Sequence, residues 1–161
     1  MDQKEDRKIS LSEVVGHLQA ETPSILADRP VMLAYVYGSV VDDQMTPSSD
    51  VDIALVLEPG SRLSAYERTR LEFDIAAEIE RRCCIQEADV RSMDNAPLTV
   101  QGKVLTEGIL LYSRDEEFRV EYEVRMRKLY FDFLPVAEMM REAFFEGVRQ
   151  EGLSGGKARQ D

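Results

Sequence analysis

Two apolar stretches and the turn between them decide how this chain reads: Val31-Met-Leu-Ala-Tyr-Val-Tyr-Gly-Ser39 and, after ten residues, Asp50-Val-Asp-Ile-Ala-Leu-Val-Leu57. Each is a short run rich in β-branched or aliphatic residues and stopped by turn formers, Gly38 in the first case and Pro59-Gly60 in the second, which is the pattern of a buried strand. Side chains on a strand alternate between its faces, so Asp50 and Asp52 share one face while Val51 and Ile53 enter a core on the other. Carboxylates on one face suit a pair of divalent cations about 3.5–4 Å apart, the arrangement that activates an attacking oxygen and neutralises a leaving phosphate. The Gly38-Ser39 turn complements them, because glycine lets the backbone approach a phosphate and serine adds an N–H and a hydroxyl. The two features together suit a nucleoside triphosphate.

Outward from this centre, the chain alternates helical and extended patterns. Ser10 with Glu13 and Ser64 with Glu67 are capping-box pairs that open helices, the first short, disturbed at Pro23 and ended by Pro30, the second amphipathic through Leu71, Ile75, Ile79 and Cys83. The polar segment from Ser39 to Ser49 reads as a loop or a loop with a short helix. A third strand is expected over about Ile85 to Arg91. A helix capped by Asp94 or Asn95 should begin near Pro97 and end at Gly108, before a fourth strand over Ile109 to Tyr112. From Asp115 to about Gln150 the pattern is helical, with Phe118, Tyr122, Leu129, Phe133, Val136, Met140 and Phe144 as its apolar stripe and Pro135 as a kink or restart. The order predicts an α/β (α+β) domain, a small mixed β-sheet flanked by helices with a C-terminal helical segment. Residues 1–114 form the domain proper, 115–150 its helical extension and 151–161 a flexible tail.

Composition narrows the chemistry. The 161 residues carry 20 Lys and Arg against 31 Asp and Glu, a net charge of −11. Direct binding to nucleic acid or an anionic membrane depends on basic side chains and is not expected. One histidine, His17, excludes multi-histidine zinc sites and reads as a surface residue. Cys83 and Cys84 are adjacent and read as buried thiols in a reducing compartment. Neither a signal peptide nor a run of about 20 apolar residues is present, so a cytoplasmic location is expected.

Thirteen aspartates make one Asp-x-Asp pair an ordinary coincidence, but Gly-Ser at a fixed distance before it is not. With both, the chain resembles nucleotidyltransferases of the polymerase-β type, in particular the minimal ones with the pattern Gly-Ser-x10-Asp-x-Asp. That resemblance implies a third carboxylate on a later strand, for which Asp89 in Glu87-Ala-Asp-Val-Arg91 is the match and Asp94 the competitor. Stretches 89–98, 104–112 and 130–135 are similar to MntA-type antitoxins of two-gene modules with HEPN-domain RNase toxins of the HepT type, a likeness covering about residues 10 to 150. It implies transfer of AMP from ATP, with Mg²⁺, to a tyrosine hydroxyl of the cognate toxin.

In that scheme Gly38, Ser39 and the adjoining backbone bind the β- and γ-phosphates, Asp50 and Asp52 hold two Mg²⁺ ions, and Asp89 holds the catalytic one and assists deprotonation of the acceptor. One departure stands out: many members of the family it resembles carry an arginine shortly after Gly-Ser, where this chain has Val40-Val-Asp-Asp43. Metal ions and backbone suffice, or Arg62, Arg68 or Arg70 reaches in from the next helix. Two other functions share the same residues, a small-molecule nucleotidyltransferase of the aminoglycoside-modifying kind and an antitoxin acting by contact alone. The remaining tempting residues have plain readings: the aromatic stripe as core, and the basic cluster Arg125 to Lys128 as a solvated face offset by Glu121 and Glu123.

Overall fold

A computed structural model, which describes residues 10–41 and 50–151, sets the two apolar runs side by side as antiparallel strands β1 (Val31–Tyr37) and β2 (Val51–Leu57). Strand β3 (Ala88–Ser92) joins β2 in parallel and β4 (Ile109–Ser113) joins β1 antiparallel, giving the order β3-β2-β1-β4. The mixed pairing follows from the connections, because a parallel pair needs a crossover element and an antiparallel pair does not. Helix α2 (Ala65–Cys83) is the crossover between β2 and β3. Helices α1 (Leu11–Leu26), α3 (Leu98–Glu107) and α4 (Glu116–Glu151) complete the domain.

The helices divide between the two faces. On one, Leu18 and Leu26 of α1 and Ile75 and Ile79 of α2 pack on Val36, Ile53 and Leu55. On the other, Val104 and Leu105 of α3 and Phe118, Tyr122 and Met126 of α4 meet Tyr35, Ala54 and Val56. Both capping boxes form, at Ser10 with Glu13 and at Ser64 with Glu67, so two backbone N–H groups at the start of each of α1 and α2 are satisfied by side chains. Edge strand β3 is guarded by α2: Glu80 accepts the Ala88 N–H at 2.9 Å and Glu72 accepts the Ser92 N–H at 2.8 Å, which occupies outward-facing donors that another strand could otherwise use.

Glu123 pins α4 to the sheet. Its buried carboxylate accepts the Tyr35 hydroxyl at 2.8 Å and pairs with Arg119 and Arg127, each at 3.2 Å. Arg127 also donates to the carbonyl of Leu105 at the end of α3. Burial, followed by the Glu123 bond and charge, pushes the Tyr35 hydroxyl far above its usual range, so it stays a donor.

Several expectations change. α1 runs through Pro23 to Leu26, because Ile25 and Leu26 are buried in the core and packing outweighs the lost backbone bond. α4 likewise passes Pro135 as one helix of 36 residues. β3 starts at Ala88, the residue paired with Val51, where β2 itself begins. The N-cap of α3 is Pro97, with no side-chain cap, so Asp94 and Asn95 do not cap it. Cys83 is buried but Cys84 is exposed in the left-handed conformation that closes α2. The aromatic stripe divides: Phe118 and Tyr122 belong to the core, Phe133 is half-buried and Phe144 is 67% exposed. Arg127 of the basic cluster is half-buried in the Glu123 network and is no simple solvated charge. His17 is exposed. Residues 42–49 of the polar segment and the tail from 152 lie outside the described residues.

Candidate active site

The site lies on the α3/α4 face, at the end of the sheet where β1 stops and β2 and β3 begin. Alternation along β2 puts Asp52 on the face that carries Ala54 and Val56. Register then aligns Tyr37 of β1, Asp52 of β2 and Asp89 of β3 in one row across three strands, and directly paired residues project to the same side. The sequence separations of these three residues say nothing of this; the parallel crossover creates it.

Gly38 joins the row to the turn beyond β1. It sits at φ +76°, opening a single 3-10 turn over Gly38–Val40, and a Cβ placed on it would lie 2.5 Å from Oδ2 of Asp52. Both the left-handed backbone and the close approach exclude a side chain here. The glycine and the aspartate fourteen positions on are therefore one structural unit. Ser39, half-buried, follows on the same turn, and Asp50 stands exposed one residue before β2.

The electrostatics report crowding of negative charge. Burial, then the charges of Asp89 and Asp50, raise the carboxyl of Asp52 above its ordinary value. Tyr37 is raised too, by burial and then by Asp52 and Asp89. Such a cluster of oxygen donors is what a hard divalent cation neutralises, so the donor set fits the metal that the sequence calls for. It is not a closed cage as placed: among the described residues no group of three or more His, Cys, Asp and Glu is arranged to hold a metal ion. Asp89 is turned instead to Arg91, whose Nε lies 2.8 Å from Oδ1, both partners being largely in water. An exposed pair of that kind is worth at most about 1 kcal/mol and yields readily to a stronger cation.

Of the expected residues, the structure brings together Gly38, Asp52 and Asp89, with Ser39 and Asp50 alongside. It does not bring in the arginines of α2. Glu80 reaches β3 near the aspartates and Glu72 reaches its other end, so the helix runs away from the site towards its start. Arg68 lies twelve residues before Glu80, about 18 Å along a helix that rises 1.5 Å per residue, on the opposite face of the sheet. Arg62 and Arg70 belong to the same distant end. Sequence reasoning missed three residues here. Tyr37 was legible as the residue before Gly38, and Arg91 as two positions beyond Asp89; Lys103 of α3, which lines a cavity of about 400 Å³ with Tyr37 and Gly38, carries no local signal.

A small mixed sheet with a Gly-Ser turn seated on a strand-borne carboxylate defines a class of nucleotide-handling domain. The sequence matches the polymerase beta nucleotidyltransferase family over residues 21–117, and the chain belongs to that family. No curated protein matches it. Among solved structures, a chain from a toxin–antitoxin crystal structure with AMP-PNP is 18% identical, with a TM-score of 0.60 over 81% of this chain and 98% of that one. A chain from the complex of a tri-AMPylated Shewanella oneidensis HEPN toxin with an MNT antitoxin is 19% identical, with a TM-score of 0.57 over 84% and 98%. One from an MntA–HepT toxin–antitoxin structure gives 19% and 0.55 over 82% and 97%. At these identities the likeness establishes a shared fold. Among the described residues no helix is long and apolar enough to cross a membrane.

Proposed function

We propose that this chain is the antitoxin nucleotidyltransferase of a two-protein module and transfers AMP from ATP to a tyrosine hydroxyl of its partner toxin, a HEPN-domain protein. The observation that carries the reading is the row of Tyr37, Asp52 and Asp89 with Gly38 seated on Asp52, in a chain whose family transfers nucleotides. The similar solved structures, toxin–antitoxin complexes that include an AMPylated toxin, support the choice of acceptor.

Gly38 and Ser39 would bind the β- and γ-phosphates through backbone N–H groups and the serine hydroxyl. Asp50, Asp52 and Asp89 would hold Mg²⁺, which when bound screens the triphosphate and favours the ionised form of the acceptor. A free tyrosine has a pKa near 10, so its hydroxyl needs help to attack at neutral pH. Asp89, at the outer end of the row, would take that proton once it leaves Arg91. The acceptor oxygen then bonds to the α-phosphorus, the bond from that phosphorus to the bridging oxygen breaks, and pyrophosphate departs with its electron pair.

The test is to incubate the purified chain, MgATP and the protein encoded beside it, and to weigh that protein by mass spectrometry. Adenylate increments on a tyrosine, absent with Asp52→Asn, are expected. Inhibition of the toxin without any mass change would replace this reading with neutralisation by contact, and labelling of an aminoglycoside instead of the toxin would move the acceptor to a small molecule.

A further inference from the structure

We propose that Lys103 of α3 is the cation this chain sets against the triphosphate of its nucleotide. The inference rests on the nucleotidyltransferase reading above and adds a residue to it.

The argument begins with a charge deficit. A nucleoside triphosphate brings several negative charges to an end of the sheet already occupied by Asp50, Asp52 and Asp89. The two residues after Ser39 are Val40 and Val41; Arg62, Arg68 and Arg70 lie at the far end of the opposite face, and Arg81 and Arg82, in the last turn of α2, are both paired with Glu78. Arg91 stands on β3, two strands away from the β1 end that carries the Gly38 turn, between Asp89 at 2.8 Å and Glu72 at 3.9 Å. Beside the turn, however, opens the cavity of about 400 Å³, bounded by Tyr37 and Gly38 on the strand side and by Val100, Lys103, Val104 and Glu107 on α3. Among the described residues Lys103 is the one cationic side chain in its wall. A nucleotide whose phosphates lie on the Gly38 turn would extend its uncharged nucleoside along the valines and leave its phosphates within the field of this ammonium group.

Two further observations make Lys103 suited to the task. Its present partner is Glu107 at 3.8 Å, with the two side chains 62% and 54% exposed, a contact weak enough to be exchanged for phosphate at little cost. The helix that carries it is held firmly on either side. The Tyr130 ring of α4 occupies the space where a Cβ on Gly102 would stand, and Arg127 binds the carbonyl of Leu105 at 2.7 Å. Lys103 thus projects from a backbone fixed one residue before it and two after it, while its flexible stem remains free to follow the ligand.

The test measures binding without transfer. Calorimetric titration of AMP-PNP with Mg²⁺, and of adenosine, into the full chain compares wild type with Lys103→Gln, Lys103→Arg and the control Lys128→Gln. Loss of one charge-assisted contact predicts about tenfold weaker AMP-PNP binding in Lys103→Gln, with adenosine affinity unchanged and both other variants close to wild type. Equal AMP-PNP affinity in wild type and Lys103→Gln overturns the assignment while leaving the nucleotidyltransferase reading intact. An equal loss for adenosine also overturns it, by making Lys103 part of the cavity's shape. Failure of the wild type to bind AMP-PNP at all would overturn the parent reading and this one with it.

Discussion

The two faces of β2 are built from alternate residues of seven consecutive positions, and they have opposite characters. One carries Val51, Ile53, Leu55 and Leu57, all buried beneath α1 and α2. The other carries Asp52, then Ala54 and Val56 beneath α3 and α4. The first face spends its whole length on stability. The second stops being core where β1 ends, and a charged row takes over beside the Gly38 turn. A strand made rigid by burial on one side therefore holds carboxylates on the other with little freedom, which is what a site must do to keep its geometry.

That contrast can be broken at neighbouring residues. The largest effect is expected for Asp52→Asn: under the proposed function it should lower AMP transfer by about a thousandfold or more, since losing a charge that would hold Mg²⁺ is worth several kcal/mol of transition-state stabilisation. Its thermal unfolding should match or exceed that of the wild type, because the amide removes a charge crowded by Asp89 and Asp50. Ile53→Ala, one residue on and fully buried, should invert the pattern: about 2–5 kcal/mol of stability lost by denaturant titration, with transfer by the folded fraction retained. If the two variants fail alike in both assays, the division between the faces is wrong.

The second face has its own polar anchor, and Glu123→Ala tests it. Removing the carboxylate strands the buried Tyr35 hydroxyl and takes one ion pair each from Arg119, which keeps Glu116, and Arg127, which keeps the Leu105 carbonyl, at a cost of roughly 2–4 kcal/mol. Hydrogen exchange should show α4 loosening before the sheet opens.

The smallest effect lies on the first face. Ser64→Ala should cost about 1 kcal/mol through the α2 cap. Glu67, held below its ordinary 4.5 by the Ser64 N–H, then by the Ser64 hydroxyl, favours the folded state above 4.5 and ceases to do so as pH falls through its lower folded value. Glu67→Gln should accordingly flatten the stability profile in that acid window and leave the neutral range parallel to wild type.

Much of the molecule was legible before any coordinates. The strands β1, β2 and β4, the capping boxes and the long last helix follow from local rules, because alternation, β-branched content and Ser-x-x-Glu pairs act over a few residues. Asp94 was misplaced as a cap because a side chain able to cap is common near a helix start, whereas the backbone angles of Pro97 decide where the helix begins. The apolar stripe of α4 was read as uniform; its periodicity marks a face, but only the extent of the sheet decides how far that face is covered. Phe118 and Tyr122 lie over strands, while Met140 and Phe144 extend past them at 64% and 67% exposure.

By itself the sequence determined the elements, the family and the pairing of a glycine turn with strand carboxylates, since these depend on residue type and short spacing. Tertiary structure alone decided that Asp89 stands beside Asp52, that the arginines of α2 are turned away, and that Lys103 faces the turn sixty-five residues before it. Register, crossover and helix packing set those distances, and they arise from contacts between residues far apart in the chain, which no local pattern encodes.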